Sequence, residues 1–113
     1  LLIMFQPHGY GPLRLMREAF IDCFASQLAP EDLLVMPEPV YFGGTVDRSI
    51  GSAAITEGVR ARGRMAEALA DRPACGARLL EEARAGDRIV VMGARDDTLS
   101  TFAADLLAAI SAR

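Results

Sequence analysis

The hydrophobic and polar positions of this chain follow two alternating rhythms. Leu1-Leu-Ile-Met-Phe5 is an unbroken apolar run, which fits a strand covered on both faces, as in a parallel sheet between helices, better than a half-exposed hairpin strand. The run stops in the polar, glycine-bearing stretch Gln6-Pro-His-Gly-Tyr-Gly11. Pro12 then suits the first position of a helix, where its missing N–H needs no partner. Leu13, Met16, Phe20, Ile21 and Phe24 recur at helical spacing up to about Gln27, and Ala29-Pro30 ends the helix. Residues 33–36 form a second short apolar run between Glu31-Asp32 and Pro37, hence another buried strand. Residues 37–45 read as a loop from their prolines and glycines.

The second half repeats the alternation. Ser52 is the expected cap of a helix carrying Ile55 and Val59, closed by Gly63. In residues 65–70 local propensity and topology disagree. Met, Ala, Glu and Leu favour helix, but the piece is six residues long and lies between two helical stretches, so a short strand is expected over residues 67–70. Asp71 is placed to cap the next helix, with Pro73 in its first turn and Gly86 past its end. Ile89-Val-Val-Met92 is a third buried strand. Gly93-Ala-Arg-Asp-Asp97 leads through Thr98 into a helix with Leu99, Phe102, Ala103, Leu106, Leu107 and Ile110 on one face. The order predicts a single α/β domain over residues 1–113: Rossmann-like, three-layered, with a mostly parallel sheet of about four strands and right-handed crossovers.

Composition narrows the chemistry. At 113 residues and 51% hydrophobic, the chain has the material for one genuine core. A net charge of −3 leaves no electrostatic footprint for nucleic acid, and no apolar stretch approaches a membrane span. A soluble, cytoplasmic location is expected. All 12 basic residues are arginine. The absence of lysine excludes a Walker A lysine and a Schiff-base lysine from this chain, and is equally the mark of a G+C-rich genome. Cys23 and Cys75 fall in predicted helices without metal-ligand spacing and are expected as buried free thiols. A start at Leu-Leu inside a core strand is read as a piece of a longer polypeptide.

In open α/β sheets ligands collect at the carboxyl ends of strands. His8, the only histidine, sits at such an end and is suited to hydrogen-bond a substrate, although a histidine there is also readily a satisfied structural residue. Tyr10 and Tyr41 offer hydroxyls and flat faces, or simply cover the core edge. Glu38 suits an amine or a metal, or plain solvation. Gly43-Gly44 and Gly93-Ala94 allow close approach of a ligand, and Thr98 opens a helix whose N-terminus favours an anion. Neither segment has the spacing of a phosphate-binding loop. Arg60, Arg62 and Arg64 read as a solvated helix end. One histidine and scattered acids make no catalytic triad and no paired carboxylates, so no catalytic residue and no metal ligand is assigned.

Three segments resemble a known family. Phe5-Gln-Pro-His8 with Tyr10 and Arg14 resembles the Phe-Gln-Pro-His-Arg-Tyr-(Ser/Thr)-Arg-Thr-Arg segment in the C-terminal domain of the Mur ligases, in particular the alanine-adding branch. Val40-Tyr-Phe-Gly-Gly44 stands where that family has Val-Tyr-Pro-Ala-Gly. Gly86-Asp-Arg-Ile-Val-Val-Met-Gly-Ala94, with Asp96 following, resembles Gly-Asp-Leu-Val-Leu-(Thr)-Met-Gly-Ala. The resemblance implies the third domain of an ATP-dependent amide-bond-forming enzyme of peptidoglycan synthesis. ATP and Mg²⁺ would be held mainly by a central domain and a UDP-sugar by an N-terminal one. This chain would present the amino acid or peptide through His8, Tyr10, Arg14, Tyr41, Gly43 and Gly44. Gly93, Ala94, Arg95 and Asp96 would lie near the nucleotide. Taken alone, it is expected to be inactive. The departures bear on the substrate: Gly9 and Pro12 replace two carboxylate-holding arginines of the motif, Thr45 a glutamate and Arg95 a glycine. The alternative is a stand-alone Rossmann-like module that binds a nucleotide or anion without catalysis.

Overall fold

A computed structural model describes residues 1–7, 15–38, 51–93 and 98–112. Four strands alternate with four helices: β1 (Leu2–Gln6), α1 (Arg17–Gln27), β2 (Leu33–Pro37), α2 (Ser52–Ala61), β3 (Met65–Leu69), α3 (Arg72–Glu82), β4 (Ile89–Gly93) and α4 (Thr98–Ser111). The strands form one sheet in the order β3-β2-β1-β4, and every pairing is parallel. The α/β class, the three layers and the parallel sheet therefore agree with the sequence pattern.

Side-chain alternation along β1 and β2 sorts the core into two layers. Ile3, Leu34 and Met36 face α1 and α2, where they meet Ile21, Phe24, Ile55 and Val59. Phe5 joins this side, its ring 5.2 Å from Phe20 and 5.7 Å from Phe24, both tilted. Leu2, Met4, Leu33 and Val35 face α3 and α4, against Cys75, Leu79 and Leu106. Two central strands buried on both faces are the physical content of the apolar runs at residues 1–5 and 33–36. The chain steps from β1 outward to β3 with helices on one face, then crosses to β4 in the opposite direction with α3 on the other. Opposite direction on the opposite face is what a single hand of crossover requires.

Several expectations are corrected. The strand expected over residues 67–70 is β3, Met65–Leu69, held in register by Leu33–Pro37 of β2 despite its helical propensity. β4 is an edge strand and only half covered: Ile89 and Val91 face α3 and α4, whereas Val90 and Met92 on the other face are 38% and 37% exposed. Ala103 and Leu107 do not share the packed face of α4 but are exposed. Met16 precedes α1 and is exposed. Cys75 is buried, but Cys23 points outward, and both are free.

Helix ends follow local chemistry. Asp71 caps α3, its carboxylate accepting the Ala74 N–H at 2.9 Å. The helix ends at Glu82, so Gly86 belongs to the turn before β4 and not to the helix terminus. Gly63, at φ +87°, ends α2 in a Schellman arrangement, with its N–H on Arg60 O and the Arg64 N–H on Val59 O. Of the arginines expected as a solvated helix end, Arg60 and Arg62 are exposed, Arg62 pairing with Asp22 of α1, whereas Arg64 is half-buried and its Nε donates to Leu28 O at 2.7 Å. One turn recurs before β2 and β4. Asp32 accepts the Ala29 N–H at 2.8 Å, and Asp87 accepts the Arg84 N–H at 2.7 Å.

Candidate functional site at the carboxyl edge of the sheet

The order β3-β2-β1-β4 reverses at β1. The chain leaves β1 toward β2, while β4 lies on its other side, and at such a switch point no connecting helix fills the crevice outside the strand ends. The residues found there are Gln6 closing β1 and Pro7 after it, Gly93 closing β4, and the first turns of α3 and α4.

Gln6 is buried, and its amide oxygen accepts from a guanidinium. Arg72, the first residue of α3, donates to Gln6 Oε1 from Nε at 3.0 Å and from Nη2 at 2.6 Å. Its Nη1 donates to Thr98 Oγ1 at 2.8 Å, and its Cζ lies 5.7 Å from the centroid of the Phe102 ring, within cation–π range. One guanidinium thus joins the end of β1 to the starts of α3 and α4. A cation in the first turn of a helix opposes the helix dipole, at a cost of about 0.3–1 kcal/mol. Arg72 therefore holds its place through these contacts and not through helix preference.

Gly93 meets Gln6 from the other side. A Cβ at position 93 would lie 2.6 Å from Gln6 O, 3.1 Å from Gln6 Cβ and 3.3 Å from Leu99 Cδ1. The backbones of β1 and β4 approach at their carboxyl ends in a way that only glycine permits.

The neighbouring strand end is organised by Glu38. Its N–H donates to Leu69 O at 3.2 Å, and its carboxylate accepts the Ser52 N–H at 3.1 Å. A carboxylate at the start of α2 is electrostatically favourable. Ser52 is not the cap expected from the sequence. Gly51 occupies that position, and the buried Ser52 hydroxyl donates to Pro37 O at 2.6 Å, fastening α2 to the end of β2. Between Gln6, Glu38, Asp71 and Arg72 opens a cleft of about 540 Å³.

Of the residues nominated from sequence, Gly93 lies at the switch point as described. His8, Tyr10, Arg14, Tyr41, Gly43, Gly44, Ala94, Arg95 and Asp96 lie outside the described residues. Their segments depart from the carboxyl ends of β1, β2 and β4, which stand side by side in the sheet. Sequence reasoning does not find Arg72 or Gln6, and it gives Glu38 a ligand or solvent for a partner where the structure gives it the start of α2. An arginine opposed to its own helix dipole is the one signal that points to Arg72.

Elsewhere, Arg78 of α3 grips Glu67 of β3 through Nε and Nη2, and Glu82 through Nη1 at 2.6 Å. These hydrogen bonds hold the Glu82 carboxyl below its ordinary value and the guanidinium above its own. Burial, with Asp71 and Glu67 adding to it, pushes the Cys75 thiol up to about 12, so it is inert. Among the described residues no group of three or more His, Cys, Asp or Glu stands where it could hold a metal ion, and no helix is long and apolar enough to cross a membrane. No protein-family model matches the chain, and no curated protein sequence matches it.

Proposed function

We propose that this chain is the substrate-presenting C-terminal domain of a cytoplasmic, ATP-dependent amide ligase of the Mur type, acting on a UDP-sugar carboxylate and an amino acid or peptide. One observation carries the reading. The three segments that resemble the family's motifs run through or follow the carboxyl ends of β1, β2 and β4, three adjacent parallel strands.

ATP and Mg²⁺, held mainly by preceding domains in this reading, supply the activation of the carboxylate. What remains for this chain is orientation. Loops anchored on rigid strand ends hold the attacking amine, and closure of the domain turns a bimolecular attack into an effectively intramolecular one. His8 and Tyr10 offer hydrogen bonds to the amine substrate, and Arg14 or Arg95 a charge-assisted contact to its carboxylate. Because Gly9 and Pro12 stand in place of two arginines of the motif, the amine is one other than free L-alanine, or its carboxylate is held from Arg95 or Arg14.

The test is ADP release by the complete polypeptide, with the UDP-sugar acid present and amino acids and short peptides supplied in turn. Release that depends on one amine, together with no ATP turnover by residues 1–113 alone, supports the proposal. Turnover by the isolated chain contradicts it. Normal use of L-alanine that survives Arg14→Ala and Arg95→Ala removes the substrate reassignment.

A further inference from the structure

The guanidinium of Arg72 occupies a position that the proposed function does not use. It forks two N–H groups onto Gln6 Oε1, two residues before His8, and reaches with a third to Thr98 Oγ1, just after the segment Gly93-Ala-Arg-Asp-Asp97. The end of β1 and the first residue of α4 are thus held by the same side chain. The backbone contact between Gly93 and Gln6 presses the ends of β1 and β4 together.

We propose that Arg72 is a positioning residue that sets the spacing between the end of β1 and the start of α4, so that the amine site and the nucleotide side of the domain respond as one unit. The geometry requires arginine. A planar fork places two donors on one amide oxygen while a third points sideways to a hydroxyl, whereas lysine is a single flexible point of charge. The Phe102 ring lies under the guanidinium, 5.7 Å from Cζ to the ring centroid, and adds a cation–π contact. Its contact with the amine substrate is indirect, through the residues it holds.

The kinetic half of this inference rests on the ligase reading; the structural half does not. Hydrogen exchange of residues 1–113 is compared for wild type, Arg72→Met, Arg72→Lys and Arg78→Met. The last breaks the other arginine cluster of α3 and controls for general loss of stability. At matched global stability, Arg72→Met is expected to speed exchange at least tenfold at both residues 7–15 and residues 94–99, Arg72→Lys to do so partly, and Arg78→Met not to do so. Equal exchange in the Arg72→Met and Arg78→Met proteins at these segments overturns the clamp. In the complete polypeptide, Arg72→Met is expected to raise KM for the amine at least fivefold, with kcat and the KM for ATP within twofold. A uniform fall in all constants overturns the positioning role. A wild type with no amine-dependent turnover removes the ligase reading, and the exchange comparison still decides the clamp.

Discussion

Gly93→Ala probes the narrowest point of the site. The added methyl would lie 2.6 Å from Gln6 O, where ordinary van der Waals contact begins at 3.4 Å, so backbone must give way by the difference, about 0.8 Å. The obstacle is a main-chain carbonyl of a central strand, paired in register with β4, and not the end of a flexible side chain. Overpacking of this kind costs about 1–3 kcal/mol, and holding a residue with a Cβ at the φ of +157° adds about 1–3 kcal/mol of backbone strain. The net expectation is a loss of at least about 2 kcal/mol, or roughly 8 °C or more in Tm for a domain of this size. Thermal and urea unfolding of the chain measure it. Gly63 supplies the contrast: its φ is +87°, and nothing lies within 4 Å of the point a methyl would occupy. There the restriction is conformational, so Asn, which tolerates left-handed backbone, should cost less than Ala. At Gly93 a φ of +157° adds backbone strain to the shortage of space, so the larger Asn should cost more than Ala. An unchanged Tm in Gly93→Ala, or the same Asn-to-Ala ranking at both positions, would refute the steric argument.

The two thiols should separate cleanly: at pH 8 a thiol reagent should modify exposed Cys23 at once and buried Cys75 only at the rate of unfolding. Fast labelling of both would show that the α3 side of the core is open. Acid stability follows from two carboxyls held below their ordinary values, Asp32 chiefly by the Ala29 N–H and Glu82 by Arg78. A depressed folded-state pKa stabilises fully above the unfolded value near pH 4 and loses that contribution as pH falls through the folded one, so stability should drop below about pH 4. The drop should be shallower in the Asp32→Asn, Glu82→Gln double variant, and an identical acid limb would count against both assignments.

What the sequence makes legible is what repeats locally. The runs Leu1–Phe5 and Leu33–Met36 announce two strands buried on both faces, and Asp71 with Pro73 announces the start of α3. The start of β3 is not readable. Its residues prefer helix, and only pairing with β2 makes Met65 a strand residue. The half-exposure of β4 is hidden for a related reason, since Ile89-Val-Val-Met92 is as apolar as a central strand and its edge position depends on where the crossover lands. For the site, strand ends and the loops after them can be inferred from order alone. The Arg72 link cannot, because its partners Gln6 and Thr98 lie 66 and 26 positions away. No local spacing records such a contact.

The claim that this chain presents an amine to an activated carboxylate is tested most directly by isotope transfer. The complete polypeptide is given a UDP-sugar acid labelled with ¹⁸O in its carboxylate, ATP and the amine that supports ADP release. If the amine displaces phosphate from a phosphorylated carboxylate, each released phosphate carries one ¹⁸O, and the product amide keeps the other. Phosphate without label would contradict the account.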